Sequence, residues 1–144
     1  MAEVIQQMWK NNHGINIELA NEEWKVYLKT SQEMDYDISR AGWIGDYTDA
    51  NTFLDMWLTD GGNNYTGFSM PAYDQLIADA AKAPNAKERL AIFQQAEELL
   101  MDEMPVLPIY FYTARYLIDP RVREWHPTIL NHHPFKHVYL APAD

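Results

Sequence analysis

The sequence predicts an α/β fold, a mixed and mostly parallel sheet flanked by helices. Two observations carry that expectation. The first 42 residues read helix–strand–helix–strand, an order that implies crossover connections. Residues 106–118, VLPIYFYTARYLI, form a near-continuous apolar and β-prone run, the pattern of a strand covered on both faces. Composition agrees, because 144 residues at 47% hydrophobic and 22% charged can bury one substantial core.

Each element has its own signals. Val4, Ile5, Met8 and Trp9 recur at helical spacing over Ala2 to Asn12, and His13-Gly14 supplies the stop. Ile15, Ile17 and Leu19 alternate with polar residues, which predicts a short strand with one buried face. Asn21 is placed to cap a following helix whose inner side carries Trp24, Tyr27 and Leu28. Met34 to Gly42 returns as a strand. After a turn loosened by Gly45, Asp49 stands at the cap position of a helical run from Ala50 to Trp57.

Thr59 to Gly67, TDGGNNYTG, reads as a loop. Ser69 to Ala81 reads as a helix with Pro71 near its first turn and Leu76, Ile77 and Ala80 inward. Pro84-Asn85 interrupts it, and Asn85 with Glu88 resembles a capping box for the longest helix, which runs to about Glu103. Its stripe is Leu90, Phe93, Ala96, Leu99 and Leu100. Met104-Pro105 ends that helix, and Pro108 must then sit at the start or on an edge of the strand that follows. Beyond Asp119-Pro120 the chain is irregular, with a small strand expected at His137 to Leu140.

Several function classes are excluded at this level. A net charge of −10 and a pI near 4.8 oppose a nucleic-acid partner, which needs a basic face. The absence of cysteine removes disulfides, thiol nucleophiles and zinc-thiolate sites. No run of eighteen apolar residues exists. The first residues, MAEVIQQMWK, lack the basic and then apolar order of a signal peptide and read as the middle of an amphipathic helix, so a truncated chain is expected. His126, His132, His133 and His137 cluster without a helical HxxxH face, which favours surface or packing roles over a metal. No nucleophile elbow or glycine-rich phosphate loop is present, and DYTDANTF fails the calcium-loop pattern.

The candidate functional stretch is Tyr36 to Trp57, YDISRAGWIGDYTDANTFLDMW. Arg40, Trp43 and Asp46 lie within seven residues at a strand-to-helix junction, where ligand groups gather. Asp46 can accept hydrogen bonds from a ligand ammonium or serve as a turn or cap residue. Arg40 can hold a carboxylate in a bidentate fork or pair with a local acid. Trp43 is either a pocket wall or core. Asp46 and Asp49 could also form an acid/base pair, although sequence spacing does not fix the separation that such chemistry needs.

Four blocks, taken in order and spacing, resemble one family. They are WKNNHGINIELANEEWKVYL, the Tyr36–Trp57 stretch, YDQLIADAAKAPNAKERLAIFQQAEELLMDEMPVLPIYFY and the closing FKHVYL. Together they are similar to the C-terminal third of the extracytoplasmic oligopeptide-, dipeptide- and nickel-binding receptors of ABC importers, solute-binding protein family 5. The resemblance covers nearly the whole chain. It implies a periplasmic-binding-protein-like lobe, here a truncated fragment of a two-lobed type II protein. Residues 1–112 would belong to the C-terminal lobe, and residues 113–144 would form a crossover and tail packed on an N-terminal lobe that the chain does not include.

The same resemblance implies capture of oligopeptides or dipeptides for import, with no catalysis, no cofactor and no metal. The implied location is periplasmic or extracytoplasmic, with lipid anchoring left open. The implied partners are a peptide, the permease subunits and the N-terminal lobe of the same polypeptide. Arg40, Ala41, Gly42, Trp43 and Asp46 match the family's RAGW–D block. Asp46 would then bind the peptide's α-ammonium group, and the backbone around Gly42, Trp43 and Ile44 would pair with peptide main chain like an added strand. Arg40 would meet a C-terminal carboxylate, and Tyr112 would lie near the ligand. Ser31 departs from the pattern, standing where some oligopeptide binders have another arginine.

Alone, the chain is expected to bind peptide poorly. Trp125, Phe135 and Tyr139 would lack their usual partner, giving exposed apolar surface or self-association. The alternatives are a receptor for a nickel chelate, heme or oligosaccharide, a small hydrolase using Asp46 and Asp49, and a stand-alone interaction domain.

Overall fold

The structure, a computed structural model, describes residues 1–142. They fall into two compact units, Met1–Ser39 and Arg40–Asp144.

The first unit contains α1 (Ala2–His13) and α2 (Trp24–Glu33). Helix α1 ends as its sequence predicts. Gly14 adopts φ 68, a left-handed conformation that costs glycine little, and its N–H bonds to the Lys10 carbonyl while Ile15 N–H reaches Trp9 O at 3.3 Å. The Gln6 side chain donates to Ile17 O at 2.8 Å and ties the following segment to the helix. The cap of α2 is not Asn21 but Glu23, whose carboxylate accepts the Lys25 N–H at 2.9 Å. An acid two residues nearer the helix satisfies the orphan donor directly and favours the positive end of the dipole. The Trp24 and Tyr27 rings stack with centroids 5.4 Å apart, yet Trp24 remains 65% exposed, so the expected inner face is only partly buried.

The second unit holds the core. Helix α3 (Asn51–Leu54) continues as a 3₁₀ turn (Asp55–Trp57), followed by α4 (Pro71–Ala80) and α5 (Ala86–Glu103). Pro71 opens α4, where its missing N–H costs nothing. Asn85 caps α5 by accepting the Glu88 N–H at 3.0 Å, one half of the expected capping box, while its side-chain amide rather than its backbone N–H donates to the Glu88 carboxylate at 2.7 Å. Tyr73, Ile77 and Ala80 of α4 meet Phe93, Ala96 and Leu100 of α5, with Leu54 beneath them. Leu90 departs from the predicted stripe and is 60% exposed. The face of Phe93 is instead covered by the Arg89 guanidinium, 4.6 Å from the ring centroid.

The loop before α4 is organised by Asn64. Its amide nitrogen donates to Leu58 O at 3.0 Å and Phe68 O at 2.8 Å, and its amide oxygen accepts from Thr66 N–H and Oγ1. Asp74 in the first turn of α4 accepts the Thr59 N–H at 3.0 Å, which closes the loop onto the helix.

The expected parallel sheet is not formed among the described residues. Their only ladder joins β1 (Val122–Arg123) and β2 (Tyr139–Leu140), antiparallel, with Val122 opposite Leu140 and Arg123 opposite Tyr139. The segments expected as strands at residues 15–19, 34–42 and 106–118 carry no ladder. The physical reason is that β-propensity records fitness for a pleated surface, whereas a strand exists only when a neighbour takes its N–H and C=O groups. Residues 106–118 are also not covered on both faces, since Phe111 is 96% and Leu117 107% exposed. Of the tail residues expected to lack a partner, Phe135 and Tyr139 are exposed, and Trp125 is half-buried against Phe135 and His133.

Candidate functional site

All six sequence-predicted site residues lie in the second unit. Two local devices position them. The first is the turn that carries Asp46. Thr52 is 1% exposed, and its Oγ1 accepts the Asp46 N–H at 3.0 Å, which anchors the turn to the start of α3. The Asp46 residue itself remains exposed. Gly45 matters here through space rather than through loose dihedrals, because a Cβ on it would stand 3.1 Å from Thr52 Cγ2 and 3.3 Å from Phe53 Cζ. A side chain here would have to push Thr52 or Phe53 aside by a few tenths of an ångström, so glycine suits the close passage of the chain by α3.

The second device gathers Arg40, Gly42 and Tyr112. The Arg40 guanidinium donates to the Tyr112 hydroxyl and lies 5.9 Å from that ring's centroid. A Cβ on Gly42 would touch Tyr112 Cε2 at 3.4 Å. Three residues predicted from sequence, separated by as many as 72 positions, therefore meet. The phenol oxygens of Tyr110 and Tyr112 facing the guanidinium raise the Arg40 pKa, and the group stays cationic.

Trp43 is half-buried, with its Nε1–H enclosed and without a hydrogen-bond partner, while Ile44 is 78% exposed. Asp46 makes no side-chain contact with Arg40 or Tyr112 among the hydrogen bonds and ion pairs of the described residues. The site thus has a cationic aromatic corner and a separate carboxylate on a pinned turn.

Asp49 has another task. The cap of α3 is Ala50 rather than the expected Asp49, whose carboxylate still accepts the Asn51 N–H at 2.9 Å and pairs through both oxygens with Arg89 of α5. The Arg89 hydrogen bonds hold its pKa below the ordinary aspartate value, with the Asn51 N–H adding to the effect. A carboxylate so engaged is not a general acid. Arg89 was not singled out from sequence; its helix position gives no sign of a partner 40 residues away. Tyr110 was also missed, although its place two residues before Tyr112 puts both on one side of an extended segment.

No three His, Cys, Asp or Glu side chains converge on a point that could hold a metal among the described residues. His133 instead packs in an aromatic nest, 4.3 Å from the Trp125 ring and 5.1 Å from Tyr116. No helix among them is long and apolar enough to cross a membrane.

Comparison with known proteins adds a family. Residues 1–65 match the family described as bacterial extracellular solute-binding proteins, family 5 Middle. The chain is 39% identical over 124 residues to the oligopeptide-binding protein OppA of Bacillus subtilis, covering 85% of the chain and 23% of that protein. It is 36% identical over 144 residues to the dipeptide-binding protein DppE of the same organism, covering 100% of the chain and 26% of that protein. Among solved structures, Haemophilus influenzae OppA in complex with RPPGFSPFR aligns at a TM-score of 0.86 and 30% identity, over 98% of this chain and 28% of that one. The chain therefore spans about a quarter of the length of these relatives. The backbone follows the matching part of the two-lobed solute-binding fold, as expected of a fragment of it, even though the sheet is not closed within the described residues.

Proposed function

This chain belongs to the bacterial extracellular solute-binding proteins of family 5, as a stretch of their sequence, and from that premise we propose that it forms one wall of a peptide-binding cleft. The relatives are binding proteins, and the chain carries no catalysis. The observation that supports the peptide reading is the two-part site. A permanent cation at Arg40 stands with Tyr112 and Gly42, and a separate exposed carboxylate at Asp46 sits on a turn fixed by Thr52. A zwitterionic peptide presents the complementary pair of charges at its ends.

In this reading Asp46 takes the α-ammonium group and Arg40 the terminal carboxylate. The backbone of Gly42, Trp43 and Ile44 pairs with peptide main chain, and Tyr112 lines the cleft. Residues 1–112 contribute to one lobe of a longer receptor, and residues 113–144 cross toward the other. That lobe covers the exposed run at residues 106–118; without it the chain binds peptide weakly and associates with its own copies through that apolar surface. The whole receptor acts outside the cytoplasm and hands peptide to permease subunits of an ABC importer.

The test is calorimetric titration of the full-length polypeptide carrying this stretch with Ala-Ala-Ala and with its N-acetyl form. Removal of the ammonium is expected to cost about 1.5–3 kcal/mol, the range for a hydrogen bond to a charged group, or about 10- to 150-fold in Kd. Equal affinity for the two probes would remove Asp46 from the ammonium role. No binding of either would remove the peptide reading.

A further inference from the structure

Arg89 of α5 grips a carboxylate three residues away from the one assigned to the ligand. Its Nη2 donates to Asp49 Oδ1 at 2.9 Å and its Nη1 to Asp49 Oδ2. The guanidinium also lies 4.6 Å from the centroid of the Phe93 ring, which belongs to the core between α4 and α5. From Asp49 the bonds run on through the turn. The Asp49 N–H donates to Tyr47 O at 2.9 Å, while its carboxylate and carbonyl accept the N–H groups of Asn51 and Thr52 at 2.9 and 3.3 Å. The Asn51 amide donates to the Tyr47 hydroxyl and to Asp55 Oδ2, both at 2.9 Å, and that hydroxyl donates to Asp55 Oδ2 at 2.7 Å. Thr52 Oγ1 accepts the Asp46 N–H at 3.0 Å. The Asp46 carboxylate takes no part in these bonds, and the residue stays exposed.

We infer that Arg89 is a positioning residue for Asp46: by gripping Asp49 from α5 it fixes the far end of the turn whose near end Thr52 pins. The Asp46 carboxylate then stands in one place over α3 before a ligand arrives. A guanidinium that meets both oxygens of a carboxylate sets orientation as well as distance, which a single bond does not. An acceptor held in advance loses no further freedom on binding and gives a tighter complex for the same contacts. The Arg89 and Asp49 side chains are 34% and 32% exposed, and a pair open to water adds little to global stability. Its consequence therefore lies in where the turn stands. The inference rests on the peptide reading for the identity of the ammonium group and on the hydrogen bonds alone for the link from Arg89 to the turn.

The experiment has two arms. In the full-length polypeptide, Arg89→Gln is titrated with Ala-Ala-Ala and with its N-acetyl form. The expected result is about a fivefold loss for the free peptide and none for the acetylated one. Charge alone predicts the opposite sign, because removing a cation leaves the turn more negative and more attractive to an ammonium group. Unchanged or tighter binding of Ala-Ala-Ala, or equal loss for both probes, overturns the inference. In this chain, hydrogen-exchange NMR follows the Asp46 and Ala96 amides with and without Arg89→Gln. Exchange at Asp46 is expected to rise about fivefold while Ala96, inside α5, keeps its rate. An unmoved Asp46 rate, or an equal rise at Ala96 from general loosening, overturns the link. If the unaltered receptor binds neither probe, the peptide reading falls, and the exchange arm decides the link from Arg89 to the turn by itself.

Discussion

Tyr73→Phe is the sharpest probe of what supports the site. Tyr73 is 0% exposed, and its hydroxyl donates to Leu54 O at 2.7 Å, joining α4 to the end of α3. The substitution keeps the ring and its edge contact with Phe68, at 5.5 Å between centroids, and removes only the oxygen. What is lost is one hydrogen bond, and the Leu54 carbonyl is left buried without that partner, a change that costs about 1–3 kcal/mol. At about 4–8 °C per kcal/mol for a cooperative unit near 100 residues, Tm should fall by roughly 4–24 °C.

Urea unfolding followed by circular dichroism measures it, with the midpoint moving and the slope unchanged. The phenol also makes an alkaline prediction. Burial raises its pKa, with the charges of Asp55 and Asp74 adding to the effect. The unfolded chain therefore ionises first as pH passes about 10, and stability falls above that point. Tyr73→Phe should flatten that part of the alkaline slope. A midpoint unmoved within about 0.3 kcal/mol, or an unchanged alkaline slope, would refute the buried bond as described.

Three further outcomes follow from the same geometry. Thr52→Val removes the acceptor for the Asp46 N–H, and the exchange rate of that amide should rise about fivefold, matching a bond of about 1 kcal/mol, as read by hydrogen-exchange NMR. Asn85→Ala removes the α5 cap and should lower unfolding stability by about 1 kcal/mol, measured by urea denaturation. The folded-state pKa of Asp49 is lowered, so its contribution is complete above the unfolded value near 4 and is lost as pH falls through the folded value. Acid unfolding of Asp49→Asn should therefore lack that portion of the pH dependence.

Local chemistry made the helices legible. The left-handed stop at Gly14, Pro71 at the start of α4 and the Asn85–Glu88 cap each act within one turn, so neighbouring residues suffice to reveal them. The strands were not legible in the same way. Residues 106–118 have the composition of a covered strand, but whether they pair depends on a neighbour that their own sequence does not contain. The site shows the same division. The block from Arg40 to Asp46 is contiguous and could be read directly. The bonds that hold it, Arg40 to Tyr112 across 72 positions and Asp49 to Arg89 across 40, arise from tertiary packing. Gly45 illustrates the limit well. Its sequence suggests a loose turn, and the structure shows a close approach to Thr52 and Phe53.

The central claim is that Asp46 receives the ammonium end of a peptide. A four-point cycle tests it most directly: binding free energies of Ala-Ala-Ala and N-acetyl-Ala-Ala-Ala to the full-length polypeptide, with Asp46 intact and as Asp46→Asn. Each single change should weaken binding, and in Asp46→Asn acetylation should have little further effect, giving a coupling of about 1.5–3 kcal/mol. Strictly additive losses, with a coupling near zero, would contradict the assignment.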